Sequence, residues 1–569
     1  MTTTPPTLRL FGPPGTGKTA SLSRRVVKTV RERGADAIGI VSFSNAAAEE
    51  IGDRDGVRGV LPKGAVGTLH SRAYRAIGHP PLALDPKVLA GWNAQAGPHW
   101  QVSGDARGLE TRDRAGAGMA ECGDGLLEQL DVLRARQAHP RTWPPPVRAF
   151  ARAWTAWKRS ADDAVDFTDM IVLAYRLAVG GAPIPGNPSV LVVDEAQDTT
   201  PIETALIMAW GAQLGPDGHL VFALDDDQAI YDWRGGNPYA ILDLRDADDE
   251  VLAQSYRVPP AVHAVAEAWI SRCATRYPKA YRPRVRVEAD ADAADAYGHA
   301  YRVGYGLGEV AELADVIEAD LAADDHSTSM VLASCGYMLT PLLGELRRRG
   351  VPFHNPFRPT EGAWNPLGKP GRGIGTPERI ARYLALAERD WTGEDVRAWT
   401  ALVAVADAGL AHGVRKAIEA LPTGTVPYPL IEALWRDDDV GNAALVAALG
   451  PDLDWLASVI VGSRRKVARY PLRVARERGA PALLDPPRLI VGTIHSAKGG
   501  EADRVYLAPD LSAAGLRQWQ SGAAGRDQTV RLFYVGITRA FRELRILAPA
   551  SKQTVPLEQL LPAALEVRA

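Results

Sequence analysis

Short apolar runs that end in polar or glycine-rich turns recur along this chain. Leu8–Phe11, Val190–Val193, His219–Leu224 and Arg488–Val491 each span only four to six residues. Such runs read as buried strands, and the weak alternation within them fits a parallel sheet covered on both faces. From Thr19 the pattern turns helical. Residues 76–160 are polar and Gly-rich, but Phe150, Trp154 and Trp157 recur there at spacings of four and three, one face of a helix. Core packing of a small helical insertion accounts for that stripe better than contact with a nucleic acid. Further on, a Met330–Ser334 strand, a Leu339–Arg349 helix and Val351–Phe353 form a second β-α-β-like unit. The loop Asn365–Gly373 marks a boundary, and an Ala/Leu-rich helical stretch runs on to about residue 482 before Arg488–Val491 returns to the sheet. The pattern predicts an α/β chain of two doubly wound parallel sheets, each with a mainly helical insertion, and shows no convincing internal repeat.

Composition narrows the class. At 569 residues the chain is too long for one core and fits roughly three to four domains. Hydrophobic content of 46% and charged content of 23% are those of a globular protein, and no apolar run reaches the roughly 20 residues of a membrane span. Cys122, Cys273 and Cys335 are scattered, which argues against a disulfide framework or a zinc ribbon and for the reducing cytoplasm. A net charge of −3 excludes a passive histone-like binder but not a motor with a local basic groove.

The chemistry sits where the strands end. Gly12-Pro13-Pro14-Gly15-Thr16-Gly17-Lys18-Thr19 is a full Walker A loop in a strand–loop–helix context. Its backbone N–H groups and the helix N-terminus suit phosphates, Lys18 suits the β/γ-phosphates, and Thr19 suits Mg²⁺. Val190–Val193 ends in Asp194-Glu195-Ala196-Gln197-Asp198, where one carboxylate can hold Mg²⁺ and the next can polarise a water. His219–Leu224 leads to Gln228, a candidate γ-phosphate sensor, and to Tyr231 and Trp233, whose ring faces suit bases. ATP and Mg²⁺ are the expected cofactors.

The ordered set of motifs resembles superfamily 1A helicases of the UvrD/Rep/PcrA type over nearly the whole chain. Ile40–Ile51, Gly67–Ser71, Asp166–Met170, Gln254-Ser255-Tyr256-Arg257, Val491–Glu501 and Arg531–Ala540 match in the family's order. The resemblance implies two RecA-like P-loop motor domains with hydrolysis at the cleft between them. The first is residues 1–75 and 161–245, with insertion 76–160. The second is residues 246–360 and 483–569, with insertion 361–482. It implies Glu195 as the base, Asp194 on Mg²⁺, Gln228 on the γ-phosphate or water, and Arg257 and Arg539 as arginine fingers. Tyr256 should stack on the nucleotide base and Glu501 should bond the ribose. Phe43, Trp233 and Arg234 are implied as DNA track contacts, and Thr68, His70, Thr493 and His495 as phosphate or backbone contacts.

The implied activity is ATP-driven 3′–5′ movement on single-stranded DNA in repair, recombination or replication. The implied partners are single-stranded and tailed duplex DNA, with protein partners in a repair or defence complex as a further expectation. A monomer is expected, without membrane association. The rivals are a translocating subunit that does not unwind DNA alone and, from another class, a P-loop small-molecule kinase.

The chain also departs from the family. No glutamine precedes the first strand, Leu224 replaces a Gly, Ala46 replaces a Lys, and Gly500 and Ala502 replace larger residues. Leu544–Val555, where relatives carry a duplex-splitting hairpin, is short and has no aromatic residue. Strand separation is therefore expected to be weaker than translocation.

Overall fold

The computed structural model describes the chain apart from residues 1–4, 44–50, 53–56, 58, 105–121, 216, 286–296, 358–361, 369–372 and 562–569. The expectations for Ala46, for the glycine-rich stretch at 105–108 and for the 369–372 turn lie outside the described residues. Packing divides the chain into two compact units, Met1–Ala300 with Ser512–Arg542, and Tyr301–Leu511 with Glu543–Ala569.

The first unit is built on β1 (Thr7–Phe11), β2 (Ile38–Ser42), β3 (Val66–Thr68), β4 (Val190–Val193), β5 (His219–Leu224) and β6 (Ala247–Val251). Their order is β3-β2-β4-β5-β1-β6, and every pairing is parallel. Successive side chains point to opposite faces. Leu10, Val190, Val192 and Ala223 join one core with Leu22 and Val26 of the Lys18–Arg33 helix. Phe11, Leu191, Val193, Phe222 and Leu224 join another beneath the Leu69–Ala76, Phe167–Val179 and Pro201–Gly211 helices. Burial on both faces is why these strands read as unbroken apolar runs. Phe11 pairs with Leu224, and Val193 with Phe222. The turns after β1, β4 and β5 therefore leave the sheet side by side at the strand C-terminal ends, where open α/β sheets place their ligands.

Within 86–160, the described residues form mainly helices that share a core of their own. Phe150 and Trp154 are fully buried, and they pack with Trp157 against Trp92 and Leu130 of the Pro86–Gln95 and Gly123–Ala135 helices. The inner side of the Pro145–Ser160 helix is tied down by charge. Lys158 and Arg134 donate to Asp166 at 2.5 and 3.0 Å, and Trp154 Nε1 donates to the same carboxylate at 3.0 Å. Asp166 also N-caps the Phe167–Val179 helix through a capping box with Asp169.

Residues 246–300 and 512–542, expected in the second sheet domain, pack in the first unit. β6 (Ala-Asp-Asp-Glu-Val) adds beside β1 as a polar edge strand without an apolar run to announce it. Trp269 Nε1 donates to Val530 O at 2.8 Å, and Asp527 accepts from the backbone of Ala274 and Thr275 at 2.8 and 3.0 Å. Nearby, Asp225, Asp226 and Asp227 are fully buried around the Lys279 ammonium, at 3.2, 2.5 and 2.8 Å. Their oxygens converge as metal ligands would, but the lysine fills that place. Burial opposes the Lys279 charge, and Asp225, Asp227 and Asp226 outweigh it, so its pKa lies above the ordinary lysine value.

The second unit holds β7 (His299–Gly306), β8 (Ser329–Ala333), β9 (Leu489–Thr493), β10 (Ala502–Leu507) and β11 (Ala540–Ala548), in the order β7-β11-β10-β8-β9. β7 and β11 begin just before its boundaries. β8 pairs parallel with both β9 and β10. The helical segment expected as a separate insertion shares one core with this sheet. Tyr383, Trp391, Trp399 and Trp435 are continuous with Val331, Val491 and Tyr506. Among the described residues no helix is long and apolar enough to cross a membrane.

Removing the cation of a buried pair strands its carboxylates and costs about 3–5 kcal/mol. Lys279→Met should therefore lower the urea-unfolding free energy of the first unit by that order. A change below about 1 kcal/mol would show that the three aspartates are stabilised by something else.

Candidate functional site

The loop after β1 has the geometry of a phosphate cradle. Gly15 and Gly17 sit at φ 72° and 75°, a region open to glycine at little cost. Gly17 opens the Lys18–Arg33 helix, whose first backbone N–H groups have no carbonyl partners within the helix. A Cβ on Gly15 would lie 2.4 Å from Arg257 Cβ, so this glycine also allows the Gln254–Arg257 segment to close on the loop. Tyr256 N donates to Gly15 O at 2.7 Å, and the Ser255 and Tyr281 hydroxyls both donate to Pro14 O at 3.0 Å. Arg257 is thus placed at the phosphate loop by its neighbours Ser255 and Tyr256. Tyr256, 63% exposed, has its ring near Gly17 and borders a groove of about 1310 Å³ that is also lined by Thr16, Ala20, Arg24 and Gln254.

Lys18 reaches across to the turn after β4 and meets Glu195 at 2.5 Å. Burial disfavours its charge, but Glu195 and then Asp194 more than compensate, and the ammonium is held above its ordinary pKa. Glu195 lies at φ 53° and ψ 39°, left-handed backbone that costs a non-glycine residue energy. Its second carboxylate oxygen accepts from Gln197 Nε2 at 2.6 Å, and Gln197 Oε1 accepts from Asp225 N at 3.0 Å. Gln197 therefore fixes the carboxylate to the neighbouring turn after β5.

In that turn Gln228 Nε2 donates to Asp225 at 2.8 Å, and Gln228 Oε1 accepts from Arg539 Nη2 at 3.1 Å. Arg539 is only 1% exposed, and its Nε donates to Val535 O at 2.9 Å. Lys18, Thr19, Asp194, Glu195, Gln228, Arg257 and Arg539 thus all belong to the first unit, on the turns of one sheet edge and the segments packed on them. The hydroxyl of Thr19 and the carboxylate of Asp194 are hard oxygen donors of the kind Mg²⁺ takes, and the glycine cradle with Lys18 suits a triphosphate.

Beside this site an aromatic group follows β2 and β5. The Phe43 and Tyr231 rings stack with centroids 5.2 Å apart, Tyr231 and Trp233 are 6.3 Å apart, and the Arg234 guanidinium lies 4.9 Å over Phe43. Phe43, Trp233 and Arg234, expected as track contacts, and Tyr231, expected with Trp233 to offer a ring face to a base, are grouped together here.

Thr68 and Thr493 have a local task. Each ends a parallel strand, β3 or β9, and accepts from the backbone N–H three residues on, Ser71 at 3.1 Å and Ser496 at 3.2 Å. Each serine hydroxyl donates back to the threonine carbonyl, at 2.8 and 2.9 Å. A Cβ on the preceding Gly67 or Gly492 would strike that hydroxyl at 2.8 or 2.7 Å. The same Gly-Thr-x-His-Ser turn is thus built once in each unit, a short repeat the sequence reading passed over. His70 Nδ1 lies 3.8 Å from Glu203 Oε1. Its pKa is lowered, chiefly by burial. His495 is half-buried, and Glu501 is exposed in the second unit. Gly500 is explained as well, because a Cβ there would lie 2.2 Å from the Phe357 ring, which occupies the space.

Gln197, Ser255, Tyr281 and Lys279 had no assigned role in the sequence. Gln197 and Ser255 stood inside quoted motifs. Tyr281 and Lys279 act through a backbone carbonyl and buried aspartates, and no spacing rule marks such contacts.

A parallel sheet with a glycine cradle after its first strand, an acidic pair after β4 and a buried arginine on the glutamine turn defines a P-loop NTPase fold. Family models agree. An AAA domain model matches residues 1–234, and a UvrD-like helicase C-terminal domain model matches residues 489–547. The chain is 24% identical to the ATP-dependent DNA helicase Rep of Escherichia coli over 95% of its own length and 88% of Rep. It is 24% identical to the ATP-dependent DNA helicase UvrD2 of Mycobacterium tuberculosis over 92% of its length and 74% of UvrD2. It is also 26% identical to DNA helicase II of Escherichia coli over 45% of its length and 37% of that protein. The chain is UvrD/Rep-like, and the resemblance expected from its motifs holds along most of it.

Arg539→Ala removes an always-charged donor from the glutamine turn and should lower kcat by about 10³-fold or more, with nucleotide affinity changed far less. Steady-state hydrolysis and nucleotide titration separate the two effects. Gln197→Ala should lower kcat by roughly tenfold or more, because Glu195, expected from the motif to be the base, loses its positioning partner, while an unchanged kcat would remove Gln197 from the account.

Proposed function

We propose that this chain is an ATP-driven motor on single-stranded DNA, a helicase or translocase of superfamily 1 moving 3′ to 5′. One observation carries the reading: the phosphate cradle and the Phe43–Tyr231–Trp233–Arg234 cluster lie on neighbouring turns of one sheet. Direction rests on the resemblance to UvrD and Rep, and the division into two motor domains with two insertions is proposed on the same ground.

In this reading Lys18 leaves Glu195 for the β/γ-phosphates, and the carboxylate it releases orients the attacking water. Gln228 holds the γ-phosphate side of that water. Arg257 and Arg539 stabilise the charge that develops on the transferred phosphoryl group. Mg²⁺ held by Thr19 and Asp194 would supply charge neutralisation between the phosphates. Tyr256 offers a face to the nucleotide base, and Glu501 is assigned to the ribose. Phe43, Trp233 and Arg234 take the bases, with Thr68, His70, Thr493 and His495 along the backbone. The Ala523–Ile537 helix supports coupling between the two functions. It leads into Arg539, and its Gln528 donates to Asp232, the neighbour of Trp233.

Translocation is favoured over robust strand separation. Residues 549–555, where relatives carry a splitting hairpin, are folded back and tied down. Leu511 N donates to Gln553 O at 2.6 Å, Val555 N to Pro509 O at 3.0 Å, and the Ser551 hydroxyl to Asp510 at 2.9 Å. A small-molecule kinase would have no use for an aromatic cluster coupled to the glutamine turn.

Hydrolysis should be stimulated by single-stranded DNA, and its absence would remove the motor reading. Trp233→Ala should cut that stimulation by roughly tenfold while leaving DNA-free hydrolysis intact, since stacking contributes about 1–3 kcal/mol per base. On tailed duplexes, displacement of a bound protein from the single strand should outpace unwinding. Equal rates would contradict the role given to residues 549–555.

A further inference from the structure

The outer face of the helical insertion is a second basic surface. Between Val132 and Ala161 the chain has seven Lys and Arg residues and no Asp or Glu, although its net charge is −3. Two of the seven, Arg134 and Lys158, are consumed by Asp166 and Asp169 on the inner side. Arg148, Arg152, Thr155 and Arg159, at spacings of four, three and four, share the opposite face of the Pro145–Ser160 helix. With Arg141 and Trp143 they line an open groove of about 580 Å³. Among the described residues, none of these four arginines has a carboxylate partner. Four uncompensated guanidinium groups around one groove repel one another, and a bound polyanion relieves that repulsion.

We propose that this groove binds the sugar–phosphate backbone of a single strand of nucleic acid, as an extension of the track. The inference rests on the motor reading and adds to it a site outside the motor core. Three features favour a single strand. The surface is concave rather than a broad patch. Half-buried Trp143 contributes an aromatic wall against which a base can stack. The segment leading into the groove also starts beside the aromatic cluster, because Arg136 donates to the Asp232 carbonyl at 2.7 Å and Gly235 approaches Ala135 and Arg136. Residues 136–143 thus run from the Trp233 turn directly to Arg141 and Trp143. The three helical arginines span roughly 16 Å, enough to follow several phosphates.

The test uses the full chain and fluorescence anisotropy with an oligothymidylate of about 20 nucleotides and a blunt duplex of the same length. Arg152 and Arg159 are exposed, so the Arg152→Ala/Arg159→Ala double variant leaves the insertion core untouched. Its affinity for the single strand should fall roughly five- to tenfold, and its log–log salt slope should become shallower by about 1.4. DNA-free ATP hydrolysis should not change. The charge-keeping Arg152→Lys/Arg159→Lys variant should retain most of the binding. If the wild-type chain binds DNA and the alanine variant matches it in affinity and slope, the groove is not part of the track and the proposal is overturned. Weakening confined to the duplex would overturn the assignment to a single strand. If the wild-type chain binds neither DNA, the motor reading fails, and this extension fails with it.

Discussion

The 2.5 Å ion pair between Lys18 and Glu195 is the interaction on which the rest of the site depends. It joins the turns after β1 and β4, to which the proposed mechanism assigns hydrolysis, and it helps keep the Lys18 ammonium charged. Glu195 and Asp194 keep Lys18 protonated against the penalty of burial. The pair also occupies the two groups with each other. In the proposed mechanism Lys18 turns to a phosphate, and Glu195 to a water, only when something more negative than one carboxylate draws the lysine away, and an arriving triphosphate has that charge. The left-handed backbone at Glu195 and the Gln197 hydrogen bond hold the carboxylate in position during the exchange.

Around that pair the sheet supplies the alignment. Parallel register brings the ends of β1, β4 and β5 together, so residues 12–19, 194–198 and 225–228 meet although the chain separates them by up to two hundred positions. Arginines encoded further on join the same unit. The segment before Arg257 is held on the phosphate loop by Tyr256 N and the Ser255 hydroxyl, and Arg539 is buried on Gln228. The triad of aspartates around Lys279 then anchors the glutamine turn to residues 273–283. Buried charge of this kind adds little net stability but is costly to break, which favours one arrangement of the turn over its alternatives.

The parts of this design that can be read from sequence are those carried by contiguous residues. β1, β4 and β5 were visible because burial on both faces leaves unbroken apolar runs, and the phosphate loop because its glycines and lysine are fixed in spacing. The Phe150–Trp154–Trp157 stripe was legible as core for the same reason of periodicity. What stayed hidden depends on partners distant in sequence. β6 is a polar edge strand, and only its pairing with β1 identifies it. Lys279 lies in an irregular segment and gains its meaning from three aspartates some fifty residues earlier. Residues 361–482 read as a helical insertion because Ala and Leu signal helix, but not the surface that helix will cover, and Trp391, Trp399 and their neighbours share a core with the second sheet. The groove on the insertion was obscured differently. The aromatic face of the Pro145–Ser160 helix carries a periodic signal, whereas the arginines on its other face belong to no motif.

The claim that Lys18 and Glu195 restrain each other until nucleotide separates them is tested most directly by ATP affinity in Glu195→Gln, measured calorimetrically beside the wild-type chain. Neutralising the carboxylate releases the lysine, so the variant should bind ATP at least as tightly as wild type while turnover falls by about 10²-fold or more. A variant that loses ATP affinity in proportion to its activity would contradict the account, because Glu195 would then assist nucleotide binding instead of competing for Lys18.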